Sequence, residues 1–193
     1  MNLDDNFWDR KYKNKDTGWD LGEISPPIKA YIDQLQNKEL KILIPGCGNA
    51  YEAEYLFKNG FKNVFLIDLS LTALSHFKKR VPEFPKEQLI CADFFTHQVT
   101  YDIMIEQTFF CAINPSLRPN YAKHAAELLK PKGKIVGLLF DAPLYKEHPP
   151  FGGCKNEYLE YFTPYFNIKN MDDAHNSIKP RAGRELFINL TKK

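Results

Sequence analysis

An apolar strand that runs directly into a glycine-rich turn is the feature that most constrains this chain. Residues 41–44 are followed by Pro45-Gly46-Cys47-Gly48, and a helical pattern comes next. A second apolar run, 64–67, ends on Asp68. Glycines let the backbone approach a ligand closely, and an acidic side chain in this place can accept hydrogen bonds from both hydroxyls of a ribose. The spacing predicts a nucleotide-type ligand site at the carboxyl ends of parallel strands.

The order of strands and helices predicts an α/β fold. Five apolar strands alternate with helical patterns across short connections, at 40–44, 64–67, 89–92, 101–105 and 134–140. Such alternation favours a doubly wound, Rossmann-like sheet. Two further strands, 165–168 and 185–190, are expected to form a terminal hairpin-like pair, which makes a seven-stranded sheet. We expect residues 1–193 to form a single domain.

Composition excludes several classes of protein. The 193 residues are 44% hydrophobic and 26% charged, which suits one soluble globular domain. A net charge of +2 is too small to indicate a nucleic-acid or membrane-surface partner. Neither a signal peptide nor a run near the ~20 apolar residues of a membrane span is apparent, so we expect a cytoplasmic protein. The four cysteines and five histidines lack paired ligand spacing, which predicts no metal site. Monomer is the default expectation for oligomeric state.

The turn itself narrows the choice of nucleotide. A dinucleotide fingerprint needs a third small residue three positions after the second glycine, and bulky Tyr51 stands there. The lysine of a phosphate-binding loop is missing too. S-adenosylmethionine fits, because it carries adenosine and an amino-acid tail but no phosphate. Asp93 and Phe94, after the third strand, could accept from the adenine amino group and stack on its ring.

Several short motifs run nearly the whole length of the chain. They are Phe7-Trp8-x-x-x-Tyr12, Thr17-Gly18-Trp19-Asp20-x-Gly22, Leu43-Ile44-Pro45-Gly46-Cys47-Gly48, Asp93-Phe94-Phe95, Phe109-Phe110-Cys111-Ala112-Ile113, Leu128-Leu129-Lys130-Pro131-x-Gly133 and Arg181-x-Gly183-Arg184-Glu185. With them the chain resembles class I S-adenosylmethionine-dependent methyltransferases. It resembles more closely the thiopurine methyltransferase superfamily, including its halide/thiol methyltransferase branch. The resemblance implies a mostly parallel sheet with an antiparallel strand near the C-terminus.

The resemblance also implies roles for individual residues. The segment 1–24 should be a lid over the cofactor. Cofactor contacts are expected from Trp8, Tyr12, Trp19, Gly46, Gly48, Asp68, Asp93, Phe94 and Gln107. Substrate-side candidates are Phe151, Phe110 and Arg184, although Phe110 could equally be a core residue. Tyr12 stands where the halide/thiol branch often has Trp, and Phe151 lacks the hydroxyl found in some of its enzymes, so the acceptor stays open.

Several functions remain open at this level. The first is methyl transfer to a small sulfur or halide nucleophile, namely a thiol, thiopurine, bisulfide or halide. The alternatives are a methyltransferase for a different small molecule and a non-catalytic module that binds an S-adenosyl ligand. Tyr51 disfavours a dinucleotide oxidoreductase. The lack of a basic stripe and of a base-binding motif disfavours a nucleic-acid methyltransferase. His148 is a candidate general base by location only.

Overall fold

Seven strands form one sheet in the computed structural model, which describes residues 2–193. They are β1 Ile42–Pro45, β2 Val64–Asp68, β3 Leu89–Cys91, β4 Tyr101–Gln107, β5 Leu129–Phe140, β6 Phe166–Asp173 and β7 Glu185–Lys192. Their order across the sheet is β3-β2-β1-β4-β5-β7-β6. The pairs among β1 to β5 are parallel, and β7 is antiparallel to both β5 and β6. The predicted fold class, including the antiparallel C-terminal strand, is confirmed.

Helices cover both faces of the sheet. They are α1 Asp5–Lys13, α2 Pro26–Ile32, α3 Tyr51–Lys58, α4 Leu71–Arg80, α5 Arg118–Glu127 and α6 Lys155–Phe162. Alternate strand residues point to opposite faces, so Leu43 packs in the cluster with α5 and α6, whereas Ile42 and Ile44 pack in the cluster with α2, α3 and α4. Burial on both faces explains why the parallel strands are continuous apolar runs. Within residues 2–193, no helix has the length and apolar character needed to cross a bilayer.

The strand order reverses between β1 and β4. The chain winds outward from β1 through β2 to β3, then crosses back to β4 on the other side of β1. Loops after the carboxyl ends of β1 and β4 therefore diverge and leave a crevice between them, which is where ligands bind in open α/β sheets. Gly46 follows β1 and Thr108 follows β4, so the predicted glycine turn borders this crevice.

The N-terminal segment contains a helix that the aromatic pattern did not predict. Asp4 caps α1 by accepting from the Phe7 N–H at 2.9 Å. The predicted cap of α4 is confirmed, since the Ser70 hydroxyl accepts from the Ala73 N–H at 3.1 Å. The last two strands run longer than predicted, because β6 and β7 pair over seven residue positions through a bulge between Ile168 and Asn170.

Candidate cofactor and acceptor site

The glycine turn after β1 has the backbone conformation that its sequence predicts. Gly46 and Gly48 both have φ of +53°, a region that side chains other than glycine rarely adopt. A Cβ on Gly46 would overlap the Phe109 ring, and one on Gly48 would lie 2.5 Å from the Tyr12 hydroxyl oxygen. The turn is therefore pressed between the loop after β4 and the N-terminal segment. A ligand at the crevice meets bare backbone here.

Asp68 ends β2 and is buried beside the turn. Its Oδ2 accepts the Gly48 N–H and its Oδ1 accepts the Ser70 N–H, both at 2.8 Å. Burial raises the pKa of this carboxyl, while the two backbone donors work in the opposite direction. A carboxylate has about four lone-pair sites, so two remain for the hydroxyls of a ribose. The observed geometry suits the predicted role.

Two adjoining cavities open at this edge of the sheet. The larger one has a volume of about 1340 Å³. Its walls include eight of the predicted site residues: Trp8, Tyr12, Trp19, Gly46, Asp68, Asp93, Phe94 and Arg184. The smaller one, of about 50 Å³, shares Tyr12, Trp19 and Gly46 with the first and adds Gly48 and Gln107. The structure thus brings together every predicted cofactor-binding residue.

Aromatic residues of the N-terminal segment close the larger cavity from one side. Trp8 and Trp19 meet edge to face with ring centroids 5.7 Å apart, and Tyr12 meets Trp19 at 6.0 Å. Tyr12 is buried, and burial together with the nearby Asp68 charge raises the pKa of its hydroxyl well above the usual value. Tyr12 is therefore a neutral phenol at physiological pH.

Asp9, which the sequence analysis passed over, ties α1 to the site. Its Oδ1 accepts the Ser70 hydroxyl and the Thr72 N–H, both at 2.9 Å, at the N-terminus of α4. Its Oδ2 pairs with Lys13 at 2.7 Å, and this contact is the main reason that its pKa is well below the usual range. Because Ser70 also donates to Asp68, one residue links the lid helix to the predicted ribose contact.

The predicted adenine contacts differ in their surroundings. Asp93 is exposed, and its Oδ1 accepts the Phe95 N–H at 2.9 Å. Phe94 is buried; its ring stacks on Tyr121 at 5.4 Å and meets the edge of Phe109 at 5.3 Å. Only one margin of Phe94 is available to a ligand, so it serves the core and the cavity wall together.

Gln107 supplies an unsatisfied acceptor. It is the last residue of β4 and lines the smaller cavity, and its Oε1 is buried with no hydrogen-bond partner among residues 2–193. An unpaired buried carbonyl oxygen is costly, so a donor from a ligand would relieve it. The ammonium of an amino-acid tail beside Gly46 is such a donor. Together with Asp68 and the glycine turn, this orphaned oxygen fits S-adenosylmethionine.

Two of the three substrate-side candidates lie away from the described cavity walls. Phe110 is buried in the core against Tyr121 and Tyr158, at 5.1 and 5.4 Å. Phe151 is buried too, with its N–H bound to the Cys111 carbonyl oxygen at 2.7 Å. Their motifs are apolar because they pack the wall from behind, and sequence alone cannot separate that from lining. The third candidate, Arg184, is exposed and lines the larger cavity.

Comparison with known proteins agrees with the fold and the site. The family model for thiopurine S-methyltransferase matches residues 3–189. Among curated proteins, the chain is 29% identical over 184 residues to an Arabidopsis thaliana protein named probable thiol methyltransferase 2, covering 92% of this chain and 81% of the relative. It is 25% identical over 201 residues to a thiopurine S-methyltransferase of Vibrio parahaemolyticus, covering 93% of each.

Solved structures share the fold at low sequence identity. A 1,6-didemethyltoxoflavin-N1-methyltransferase of Burkholderia thailandensis has a TM-score of 0.78 and 15% identity, covering 98% of this chain and 87% of that one. A magnesium protoporphyrin IX methyltransferase of Synechocystis has a TM-score of 0.75 and 11% identity, covering 100% and 98%. The chain belongs to the thiopurine S-methyltransferase family, and it is an S-adenosylmethionine-dependent methyltransferase of the thiol/thiopurine type.

Proposed function

We propose that this enzyme transfers a methyl group to a small sulfur or halide nucleophile. The observation that carries the proposal is the charge distribution around the larger cavity. Its three acidic residues, Asp16, Asp68 and Asp93, belong to the lid segment and the cofactor side. Arg181 and Arg184 line the remaining part together with apolar side chains. A chamber that is apolar and positively charged favours an anionic, polarisable nucleophile such as a thiolate or a halide.

The cofactor is assigned to the sheet edge. Asp68 would accept from the ribose hydroxyls, Asp93 and Phe94 would border the adenine, and Gln107 with Gly46 would hold the amino-acid tail. When bound, S-adenosylmethionine supplies a methyl carbon that is already activated by a sulfonium. The faces of Trp8 and Trp19 are suited to a neighbouring cation, since aromatic rings present their negative face to it.

The task of the chain's own residues is alignment and the exclusion of water. Transfer requires the nucleophile, the methyl carbon and the departing sulfur to be in line at near-attack distance. Thiolates and halides react far faster when their hydration shell is removed, and the lid aromatics with Phe109 and Phe140 supply the apolar walls that replace it. We assign no general base, because halides carry no proton and acidic thiols ionise on their own.

His148 lies at the rim of the cavity. Its imidazole is exposed, stacks on Tyr145 with ring centroids 4.1 Å apart, and its Nδ1 is 2.9 Å from the Pro149 carbonyl oxygen. We propose that this pair lines the acceptor entrance. A proton acceptor in that place would be open to solvent and would gain little from the closed chamber.

The test is methyl transfer from labelled S-adenosylmethionine to iodide, bisulfide, thiocyanate, a thiophenol and a mercaptopurine, with volatile and non-volatile products counted separately. We expect turnover on at least one of them. Turnover on small anions alone would indicate a halide/thiol enzyme, and turnover on aromatic thiols alone a thiopurine-type enzyme. Methylation confined to hydroxyl or amine acceptors would contradict the proposal.

Arg184 provides a second arm of that experiment. Arg184→Ala should raise KM for an anionic acceptor by about tenfold and leave S-adenosylhomocysteine affinity unchanged, because only the acceptor side loses a charge. The matched control is Lys179→Ala, which removes an exposed cation from the same connection between β6 and β7. Equal effects of the two variants on KM would count against a specific role for Arg184.

A further inference from the structure

Glu106 is a buried carboxylate that the proposed chemistry does not use. It is the second-last residue of β4, and no part of it is exposed. Its Oε1 accepts the N–H groups of Phe109 and Phe110, both at 2.8 Å, and its Oε2 accepts the Tyr121 hydroxyl at 2.5 Å. All three partners are neutral donors. A buried carboxylate without an opposite charge is costly, so its retention calls for an explanation.

Two of these bonds fix the turn after β4. Thr108 has φ of +60°, which lets the chain reverse at once and aim the next two N–H groups back at Glu106. The turn places the Phe109 ring against the bare backbone of Gly46, where a Cβ would overlap it. Phe109 also lines the larger cavity. The position of this ring, and with it one wall of the crevice, depends on a carboxylate on the strand behind it.

The third bond reaches the adenine side. Tyr121 of α5 is fully buried, and its ring stacks on Phe94 at an interplanar angle of 29°. Phe94 in turn meets Phe109 at 5.3 Å. Glu106 therefore holds Phe109 through the backbone and Phe94 through Tyr121, and both rings border the larger cavity.

We propose that Glu106 is a positioning residue that sets the two aromatic walls of the cofactor site, Phe109 and Phe94. This inference rests on the proposed cofactor site at Gly46 and Asp68, and it is independent of the acceptor. It gives the buried carboxylate a function in ligand binding rather than in stability alone.

The ionisation of Glu106 suits three donors. Burial raises the pKa of its carboxyl to about 7. The titratable groups nearest to it are Tyr121 and Cys111, and burial raises the pKa of both, so each is neutral when Glu106 titrates. Protonated Glu106 would place an additional hydrogen among donors, and of these only the Tyr121 oxygen can also accept. The hold on the turn therefore weakens as the pH falls through about 7.

Binding of S-adenosylhomocysteine tests the proposal without an acceptor. Trp8 and Trp19 are the two tryptophans of the chain and both lie in the lid, so intrinsic fluorescence reports on the site directly. Glu106→Gln should weaken binding by about 10- to 100-fold, as misplacement of positioning groups does. Tyr121→Phe, which removes only the third bond, should weaken it less and in the same direction. Asp102→Asn, at the other end of β4, is the matched control and should bind like the wild type.

The pH profile separates positioning from a structural role. Wild-type affinity should weaken below pH about 7, whereas Glu106→Gln should show no inflection there. A Glu106→Gln variant that melts earlier but binds with wild-type affinity and profile would overturn the proposal. If that variant does not fold, wild-type affinity in Tyr121→Phe overturns it instead. Failure of the wild type itself to bind S-adenosylhomocysteine would refute the cofactor site on which the proposal depends.

Discussion

The sheet edge and the N-terminal segment border the same cavity but are held in different ways. At the edge, Gly46, Gly48 and Asp68 are fixed by backbone hydrogen bonds and positive φ angles within the buried sheet. The lid segment, residues 2–24, has half-exposed tryptophans and reaches the body through side-chain contacts. The difference teaches that the edge determines the shape of the site, whereas the lid determines access to it.

Three polar contacts fasten the lid. Asp9 binds the N-terminus of α4. Asp20 accepts from the Asn49 amide at 2.6 Å, beside the glycine turn. The Trp19 carbonyl oxygen accepts from buried Arg181 at 2.7 Å. Each contact can open without disturbing the sheet, as a segment that must admit a ligand requires.

The largest effect should come from closing the glycine turn. Gly46→Ala should abolish S-adenosylhomocysteine binding, a loss of roughly 100-fold or more, because the new Cβ displaces Phe109 and the φ of +53° is strained. Isothermal titration calorimetry measures this. Gly60→Ala is the control, since Gly60 also has positive φ but a Cβ there meets nothing within 4 Å. Equal losses in both variants would show that backbone strain alone is responsible.

The next effect concerns the carboxylate of the edge. Asp68→Ala should weaken cofactor affinity by roughly tenfold or more, since charge-assisted hydrogen bonds to the ribose are lost. The same titration on Asp102→Ala removes a strand acid that also accepts a backbone N–H, from Lys41 at 2.8 Å, but lies away from the cavity walls. Unchanged affinity in Asp68→Ala would refute the assignment of this residue.

A smaller effect is expected in the lid. Asp9→Ala should speed dissociation of S-adenosylhomocysteine by about 5-fold and leave the melting temperature of the apo protein within about 2 °C, because one local contact is lost. Stopped-flow tryptophan fluorescence gives the rate. Asp5→Ala, an exposed acid on the same helix, should dissociate like the wild type. A large drop in melting temperature for Asp9→Ala would mean that the lid is part of the core.

The smallest effect is a difference in pH response. The pKa of Asp9 is lowered, so its contribution is present above the unfolded value of 3.8 and is lost only as the pH falls below that. The affinity ratio between wild type and Asp9→Ala should therefore stay constant from about pH 5 to pH 9. The ratio between wild type and Glu106→Gln should change near pH 7. Parallel pH profiles for the two ratios would contradict the distinction between lid and edge.

Much of the fold was predictable because local patterns agree with the tertiary structure. Parallel strands buried on both faces must be continuous apolar runs, and the sequence shows five of them between turn signals. The length of β6 was less predictable, because Asn167, Asn170 and Asp172 give it the polarity of an edge strand. The helix α1 was missed because its aromatic residues were interpreted only as ligand contacts.

The site was predictable where a backbone conformation requires a residue type. Gly46 and Asp68 stand out for that reason. Asp9 and Glu106 did not, because their partners lie 15 or more positions away except for Lys13 and the Phe109-Phe110 turn. One signal for Glu106 exists: an acid ends an apolar strand while Gly137 stands opposite it on β5, where a Cβ would overlap its backbone.

The most direct test of the account is a crystal structure of the wild-type enzyme with S-adenosylhomocysteine. The account predicts both ribose hydroxyls within hydrogen-bond distance of the Asp68 carboxylate, the adenine between Asp93 and Phe94, and Trp8 and Trp19 closed over the ligand. A ligand seated elsewhere, or one whose ribose makes no contact with Asp68 while the lid lies away from it, would contradict the assignment of both the sheet edge and the lid.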